Sequence, residues 1–227
     1  MIFESIIEAF ELLITFDYEI YSIIFLSLLI SCLATITAGF LGVISGILIS
    51  ISQFKGKRLL KKIMYTFMGI PPVVLGLFVL LFLSGPLANM NLLFTQSAMY
   101  IAQTLLVYPI ITGTIIMTSE KTQLRILETA TTLGAQKKDK LLLLLHEMRP
   151  YIIFSLVLGF SRAISEVGAV MLVGGNIRGE TRVMTTYIAL NTSMGNYSAS
   201  IAMGLILLFI AFLFHSFIAR FRGDLYD

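Results

Sequence analysis

Five long apolar segments, separated by polar joints, dominate the hydrophobic pattern of the chain. They fall at residues 20–51, 63–83, 97–118, 151–174 and 199–218. Each is long enough to cross about 30 Å of hydrocarbon as an α-helix, which rises about 1.5 Å per residue. Helices are required because lipid offers no hydrogen-bond partner to backbone N–H and C=O groups. The pattern therefore predicts an all-α, polytopic membrane protein with about five transmembrane helices.

The composition excludes both a soluble globular domain and a disordered chain. Of 227 residues, 57% are hydrophobic and 13% are charged, and the mean hydropathy is +0.92. A soluble domain carries about 45–50% apolar and about 25% charged residues, and a disordered chain combines low hydrophobicity with high charge. The single cysteine, Cys32, excludes an intrachain disulfide and a multi-cysteine metal cluster.

Basic residues predict the orientation in the membrane. The joint after the first segment holds five of the 16 Lys and Arg, the joint after the third holds six, and the C-terminal tail holds two. With five crossings all three lie on one side, which the positive-inside rule makes cytoplasmic. We therefore expect the N-terminus outside and the C-terminus inside. Because topology disperses the +3 net charge, we expect no nucleic-acid partner.

The chain is expected to form one transmembrane domain, 1–227, with two segments outside the bilayer core. Residues 1–19 alternate apolar residues at helical spacing with Glu4, Glu8 and Glu11, which predicts a short amphipathic helix at the outer surface. Residues 119–149 form a long inner loop with helical stretches on both sides of Gly134, where a positive φ would allow a sharp bend. Such helices could lie on the lipid surface or dock a soluble partner.

A motif in the inner loop favours docking. Glu128-Thr129-Ala130, with Gly134 six residues after the glutamate and Arg149-Pro150 further on, resembles the "EAA" loop of ABC importer permeases. Thr129 replaces the usual first alanine, and Arg149 stands where leucine is usual. In that family the loop supplies the coupling helix that sits in a cleft of the ATPase subunit. The resemblance implies ATPase-coupling roles for Leu127, Glu128, Thr129, Ala130, Leu133 and Gly134.

Three further stretches resemble molybdate, tungstate and sulfate permeases. They are PPVVLG at residues 71–76, SRAISEVGA at 161–169 and NIRGETR at 176–182. The run GGNIRGETRVMTTYIAL is most similar to the tungstate type. The resemblance implies an ABC type I importer fold in the cytoplasmic membrane of a prokaryote. It also implies ATP-driven import of a tetrahedral oxyanion, tungstate, with molybdate or sulfate as alternatives.

The resemblance also implies the partners. A second copy of the permease completes the pathway, two ATPase subunits hold ATP and Mg, and an extracytoplasmic binding protein delivers the anion, with lipid around the bundle. No cofactor or metal is expected on this chain itself. Catalysis by the chain is not expected either, because it contains no G-x-x-x-x-G-K-[ST], G-x-S-x-G or H-E-x-x-H motif.

The fourth segment carries intramembrane charges. Ser155, Gly159, Arg162, Glu166 and Ala169 recur every three or four residues, which predicts one shared helix face. Charges inside a membrane usually face the bundle and pair. Arg162 and Glu166 could therefore form a structural ion pair, or line the translocation path and rearrange during gating.

Prolines and a second group of arginines provide the other site candidates. Pro71 and Pro72 are expected to kink the second segment and to shape the path, and Pro109 is expected to kink the third. The turn after the fourth segment lies at the outer mouth by topology. Its arginines could snorkel at the interface, or help to receive an anion or the binding protein. The candidates there are Asn176, Arg178, Thr181 and Arg182.

Two other functions remain as alternatives. A stand-alone secondary anion transporter would show inverted repeats, which the sequence lacks, and would leave the long inner loop unexplained. An intramembrane enzyme would need a cluster of nucleophile, base or metal ligands at one depth, and Arg162 and Glu166 are the available pair.

Overall fold

The computed structural model describes Ile7 and residues 18–132 and 134–223, with the backbone alone for 120–129, 131, 137–138, 140–141 and 217–223. The amphipathic helix predicted for residues 1–19 therefore lies largely outside the described residues. Nine α-helices and one short 3-10 helix follow one another in the described part, without a strand. They are α1 (Tyr18–Ile51), α2 (Lys57–Met68), α3 (Pro72–Ser84), the 3-10 turn (Ala88–Met90), α4 (Gln96–Thr132), α5 (Lys137–Glu147), α6 (Arg149–Ile164), α7 (Gly168–Gly174), α8 (Met184–Ser193) and α9 (Tyr197–Gly223).

Three of the described helices are long and apolar enough to cross a membrane unbroken. They are α1, the Gln96–Ser119 part of α4 and the Tyr197–Ser216 part of α9. Two further crossings are bent pairs: α2 and α3 meet at 104°, and α6 and α7 meet at 57°. Counting each pair as one span gives five crossings in the described residues, which agrees with the predicted number.

The bent pairs refine one expectation and correct another. The sequence predicts a kink at Pro71-Pro72 in the segment 63–83, and the structure has a full break there. The segment 151–174 is predicted to carry one continuous helix face, and it too is broken. Pro71-Pro72 ends the first helix because proline excludes the preceding residue from helical φ/ψ and lacks an N–H. By contrast, α4 continues through Pro109 without a break. Its long apolar packing surface outweighs one missing backbone hydrogen bond.

The long helices α1 and α4 run parallel along a glycine-lined contact. A Cβ on Gly42 would lie 3.1 Å from Ile111, and one on Gly46 would lie 2.8 Å from Ile115. Nearer the other end, the hydroxyls of Thr37 and Tyr100 are 2.8 Å apart. The paired residues advance together along both chains, so the helices are parallel. Hence the basic joint after α1 lies at the same end of the bundle as the C-terminal turns of α4.

The core of that end includes the loop helix α5. Leu144 and Met148 are both fully buried in a cluster with Ile111 and Ile115 of α4 and with Ile47 of α1. Burying large apolar side chains contributes about 1.5–3 kcal/mol each relative to exposure. The helix after Gly134 is therefore anchored to the bundle by the hydrophobic core.

Candidate functional site

The inner elbow forms at the end of α4, where Gly134 adopts φ 76°. The Ala135 N–H donates to the Ala130 carbonyl at 2.9 Å, which closes the C-terminal turn of α4 in the manner of a Schellman motif. The next helix begins at once, and the Asp139 carboxylate accepts the Gln136 N–H at 3.1 Å, which caps its first turn. The predicted sharp bend at Gly134 is therefore confirmed by its positive φ, with a backbone hydrogen bond closing α4 and a carboxylate cap starting α5.

The residues assigned to ATPase coupling fall on the elbow, with different exposures. Leu127, Glu128 and Thr129 lie on the last turns of α4, where the structure describes the backbone, and Leu133 lies outside the described residues. Ala130 is buried, with 2% of its surface exposed, so its methyl packs within the chain. Gly134 is exposed and has open space around its Cα. The surface that a partner could touch also includes Leu142, which is 60% exposed.

The break between α6 and α7 is organised around Glu166. Its Oε1 accepts the Ala169 N–H at 3.0 Å, so the carboxylate caps the first turn of α7. Its own carbonyl accepts the Thr185 hydroxyl at 2.8 Å. From α4, the Gln103 amide donates to the Ala163 carbonyl at 3.1 Å. These bonds add hydrogen-bond partners to backbone groups at the ends of the two helices, where the helical pattern is interrupted.

Arg162 and Glu166 are neighbours, but not on one continuous helix face. Because α6 ends at Ile164, Glu166 lies in the break and Ala169 on the next helix, so the predicted shared face from Ser155 to Ala169 is wrong. The guanidinium NH2 of Arg162 lies 4.0 Å from Glu166 Oε2. Arg162 is 39% exposed and Glu166 is 6% exposed. The Glu166 carboxylate, which caps α7, is therefore buried, and the Arg162 guanidinium next to it is accessible to solvent.

The two helix breaks lie side by side. A Cβ on Gly76 of α3 would lie 2.6 Å from the Cα of Ala169, and one on Gly168 would clash with Val73. The first turns of α3, which begins at Pro72, therefore pack directly against α7. Pro71 and Pro72 end one helix next to the point where Glu166 caps another. The residues that the sequence suggested for the translocation path therefore lie close together in the fold. They are Pro71, Pro72, Arg162 and Glu166.

The turn between α7 and α8 is tightly bonded within itself. The Thr181 hydroxyl donates to the Gly174 carbonyl at 2.6 Å and accepts the Ile177 N–H at 2.9 Å. Thr181 is 1% exposed, so its role in the structure is to hold the turn. Asn176 has φ 52°, and its Oδ1 accepts the Nε of Arg182 at 3.3 Å. The turn therefore holds the Arg182 side chain in a defined orientation.

Both arginines of that turn contact Glu19 in the first helical turn of α1. Arg178 Nε donates to Oε1 at 2.9 Å and its NH2 to Oε2, and Arg182 NH1 donates to Oε1 at 3.4 Å. The exposed fraction of the side chain is 73% for Arg178, 16% for Arg182 and 27% for Glu19. The structure thus places Asn176, Arg178 and Arg182 together.

Three contributors to these sites were missed by sequence reasoning. Glu19 lies more than 150 residues from its arginines in the chain, and Gln103 reads as an isolated polar residue in an apolar segment. His215 is likewise a single histidine in the last apolar segment, and its Nε2 lies 2.9 Å from the hydroxyl of Ser161, which precedes Arg162. The available signal was their polarity inside or at the edge of apolar segments, where polar groups usually have partners.

Comparison with known proteins identifies the family. The family described as "Binding-protein-dependent transport system inner membrane component" matches residues 38–224. The chain is 46% identical over 218 residues to the tungstate uptake system permease protein TupB of Peptoclostridium acidaminophilum, with 95% of this chain and 96% of that protein covered. It is 28% identical to the molybdenum transport system permease protein ModB of Escherichia coli, over 83% and 90% of the two chains.

The fold is also shared with a solved transporter. A chain of the MetNI methionine ABC transporter, in an inward-facing conformation, superposes with a TM-score of 0.72 at 15% identity, covering 89% of this chain and 94% of that chain. At that identity the likeness concerns the fold. Together, the family match and the apolar helices establish that this chain is a multi-pass protein of the cytoplasmic membrane. It belongs to the binding-protein-dependent transport system inner membrane component family, the permeases of ABC importers.

Proposed function

We propose that this chain is the permease subunit of an ATP-driven importer whose cargo is a tetrahedral oxyanion, tungstate. The observation that carries this assignment is the 46% identity to a tungstate permease across 95% of the chain. A second tungstate permease, from Campylobacter jejuni, is 32% identical over 93% of the chain. Molybdate and sulfate are the alternatives, because relatives named for molybdenum and sulfate transport share 28% identity.

The inner elbow is proposed to receive the ATPase subunit. The exposed Gly134 and Leu142 offer a surface to a soluble partner, while Leu144 and Met148 on the same segment are buried in the bundle core. A helix that is fixed on one face and open on the other transmits a displacement into the helices on which it packs. ATP and Mg would bind the ATPase subunits, and this chain would bind no cofactor.

A second copy of the chain is proposed to complete the pathway. A strip of polar side chains is accessible on α6, at its C-terminal end and on α9, among exposed apolar residues. Its members are Ser161, Arg162, Ser165 and His215. Polar and charged groups are costly against lipid, so they face water or a partner. Two copies that meet across this strip would enclose it as a wet path and leave the apolar faces to lipid.

The gate is proposed to lie where the two helix breaks adjoin. Arg162 is accessible at this point, and the buried Glu166 that it approaches caps α7. A change in the bend between α6 and α7 would move this pair together with α3, which packs on α7 through Gly76. The turn at the opposite end would meet the anion or its binding protein through Asn176, Arg178 and Arg182. This arrangement requires the N-terminus outside the cell and the C-terminus inside.

Transport in reconstituted vesicles tests the proposal. The permease is co-expressed with its ATPase subunit, placed in liposomes with the binding protein outside and ATP within, and tungstate uptake is measured by elemental analysis. We expect uptake that requires ATP and the binding protein, with molybdate and sulfate as competitors. A matched ATPase variant that binds but does not hydrolyse ATP is the control. Uptake independent of ATP would instead favour the stand-alone secondary transporter.

A further inference from the structure

One carboxylate, that of Glu19, accepts hydrogen bonds from both arginines in the turn between α7 and α8. Arg178 donates from Nε and NH2 to the two carboxylate oxygens of Glu19, and Arg182 donates from NH1 to one of the same oxygens. A planar guanidinium fork suits any group that presents two oxygens, whether carboxylate or tetrahedral oxyanion. The Glu19 carboxylate therefore stands where an oxyanion would be bound.

Arg182 is oriented by the turn as well as by Glu19. The Asn176 side-chain oxygen accepts Arg182 Nε at 3.3 Å, and the Asn176 carbonyl accepts Arg182 NH2 at 3.4 Å. Asn176 is held at positive φ within a turn that Thr181 bonds internally. Removing the Glu19 carboxylate would therefore leave Arg182 aimed in nearly the same direction.

A cavity of about 170 Å³ adjoins Arg182. Its other lining residues are Ser22, Gln96 and Gly179 and four apolar residues of α1, Ile23, Phe25, Leu26 and Leu29. The Gln96 amide donates to the Glu180 carbonyl at 3.0 Å, which ties the start of α4 to the same turn. The cavity thus lies where three segments of the chain meet, next to Arg182.

Resting on the proposed function, we propose that Glu19 is a displaceable internal ligand, and that a tetrahedral dianion binds Arg178 and Arg182 in its place. A dianion carries twice the charge of the carboxylate, so its attraction to the two guanidinium groups is greater at the same separation. Among the described residues, the two arginines and Glu19 together carry one surplus positive charge, whereas the two arginines and a dianion are together neutral. Ion pairs partly open to water are weak, so the carboxylate is easily exchanged.

Equilibrium binding tests the exchange. Tungstate binding to the permease–ATPase complex in nanodiscs, without nucleotide or binding protein, is measured by elemental analysis after filtration. Glu19→Gln removes the competing charge and keeps the side-chain shape, so we expect tungstate to bind about fivefold more tightly. Arg178→Gln and Arg182→Gln are each expected to weaken binding about tenfold or more. Glu180→Gln, which neutralises a carboxylate of the same turn, is the matched control and should match the unmodified complex.

The outcomes separate this inference from the proposed function. Equal tungstate affinity in the Glu19→Gln and unmodified complexes, beside normal ATP-driven uptake, would overturn the displacement and leave the importer standing. If tungstate binding depends on Glu19 but ATP-driven uptake is absent, the displacement is supported and the importer function is overturned. If Glu19→Gln does not assemble, hydrogen exchange on the unmodified complex decides: residues 176–182 should exchange more slowly with tungstate present, and unchanged exchange overturns the inference.

Discussion

At the residue scale, glycine controls how closely the two broken spans approach. Gly76 faces the backbone of Ala169, and an added Cβ would lie 2.6 Å from that Cα. Backbone cannot move aside as a flexible side chain can, so a methyl group here must separate α3 from α7. In a membrane, where lipid is as apolar as leucine, close packing of this kind is a main source of helix association.

We therefore expect Gly76→Ala to destabilise the protein by about 1–3 kcal/mol, the usual cost of overpacking. Gly204→Ala is the matched control, since Gly204 lies in α9 with nothing within 4 Å of an added Cβ. There the gain in helix propensity, about 0.5–1 kcal/mol, should leave stability equal or higher. Thermal unfolding in detergent, followed by a dye that reacts with Cys32, measures both. A Gly76→Ala protein that melts with the control would contradict the close contact.

At the scale of elements, the elbow between α4 and α5 combines a conformational requirement with an anchored helix. Gly134 needs a positive φ although its surroundings are open, so the constraint is the backbone and not space. The helix that follows is fixed by Leu144 in the core. A change at Gly134 therefore alters the direction of the elbow without removing packing.

Gly134→Ala is expected to cost about 1–2 kcal/mol in the elbow, the penalty for a side chain at left-handed φ. Tungstate uptake per ATP hydrolysed should fall, because the elbow would meet the ATPase in a different orientation. Gly195→Ala is the control: Gly195 has φ 78°, also without a neighbour within 4 Å, in the turn between α8 and α9. Tungstate uptake and ATP hydrolysis are measured in the same vesicles. An equal loss of coupling in the two variants would assign the effect to general strain.

At the scale of the whole molecule, charge separates to the two ends of the bundle. The parallel arrangement of α1 and α4 places the lysine-rich joint after Ile51 at the same end as Gly134. The cluster of Glu19 with Arg178 and Arg182 joins the start of α1, and so lies at the other end. This distribution agrees with a cytoplasmic elbow and an outer arginine cluster.

Thiol labelling in intact cells tests that orientation. In a Cys32→Ser background, the Glu180→Cys variant should react with a membrane-impermeant maleimide from outside. The Gln136→Cys variant should react after the membrane is opened, because Gln136 lies beside the elbow. Both side chains are exposed, so accessibility reports sidedness. The reverse labelling pattern would place the elbow outside the cell and refute ATPase docking there.

The sequence determined those features of the protein that depend on local chemistry. Runs of apolar residues predict spans because a membrane helix must satisfy its backbone internally. Pro71-Pro72 predicts a disturbance because proline lacks an N–H, and Gly134 predicts a bend because it tolerates positive φ. The loop motif and three further stretches were sufficient to indicate the permease family, which the family match confirms.

Only the tertiary structure decided which distant groups meet. Glu19 and Arg178 are 159 residues apart, and no local pattern states that α1 begins beside the turn after α7. The break at Glu166 has no proline to announce it; it is stable because Gln103 and Thr185 bond the carbonyls beside it. Hydrogen bonds between distant segments depend on how helices pack in three dimensions, and helix packing is a property of the whole chain.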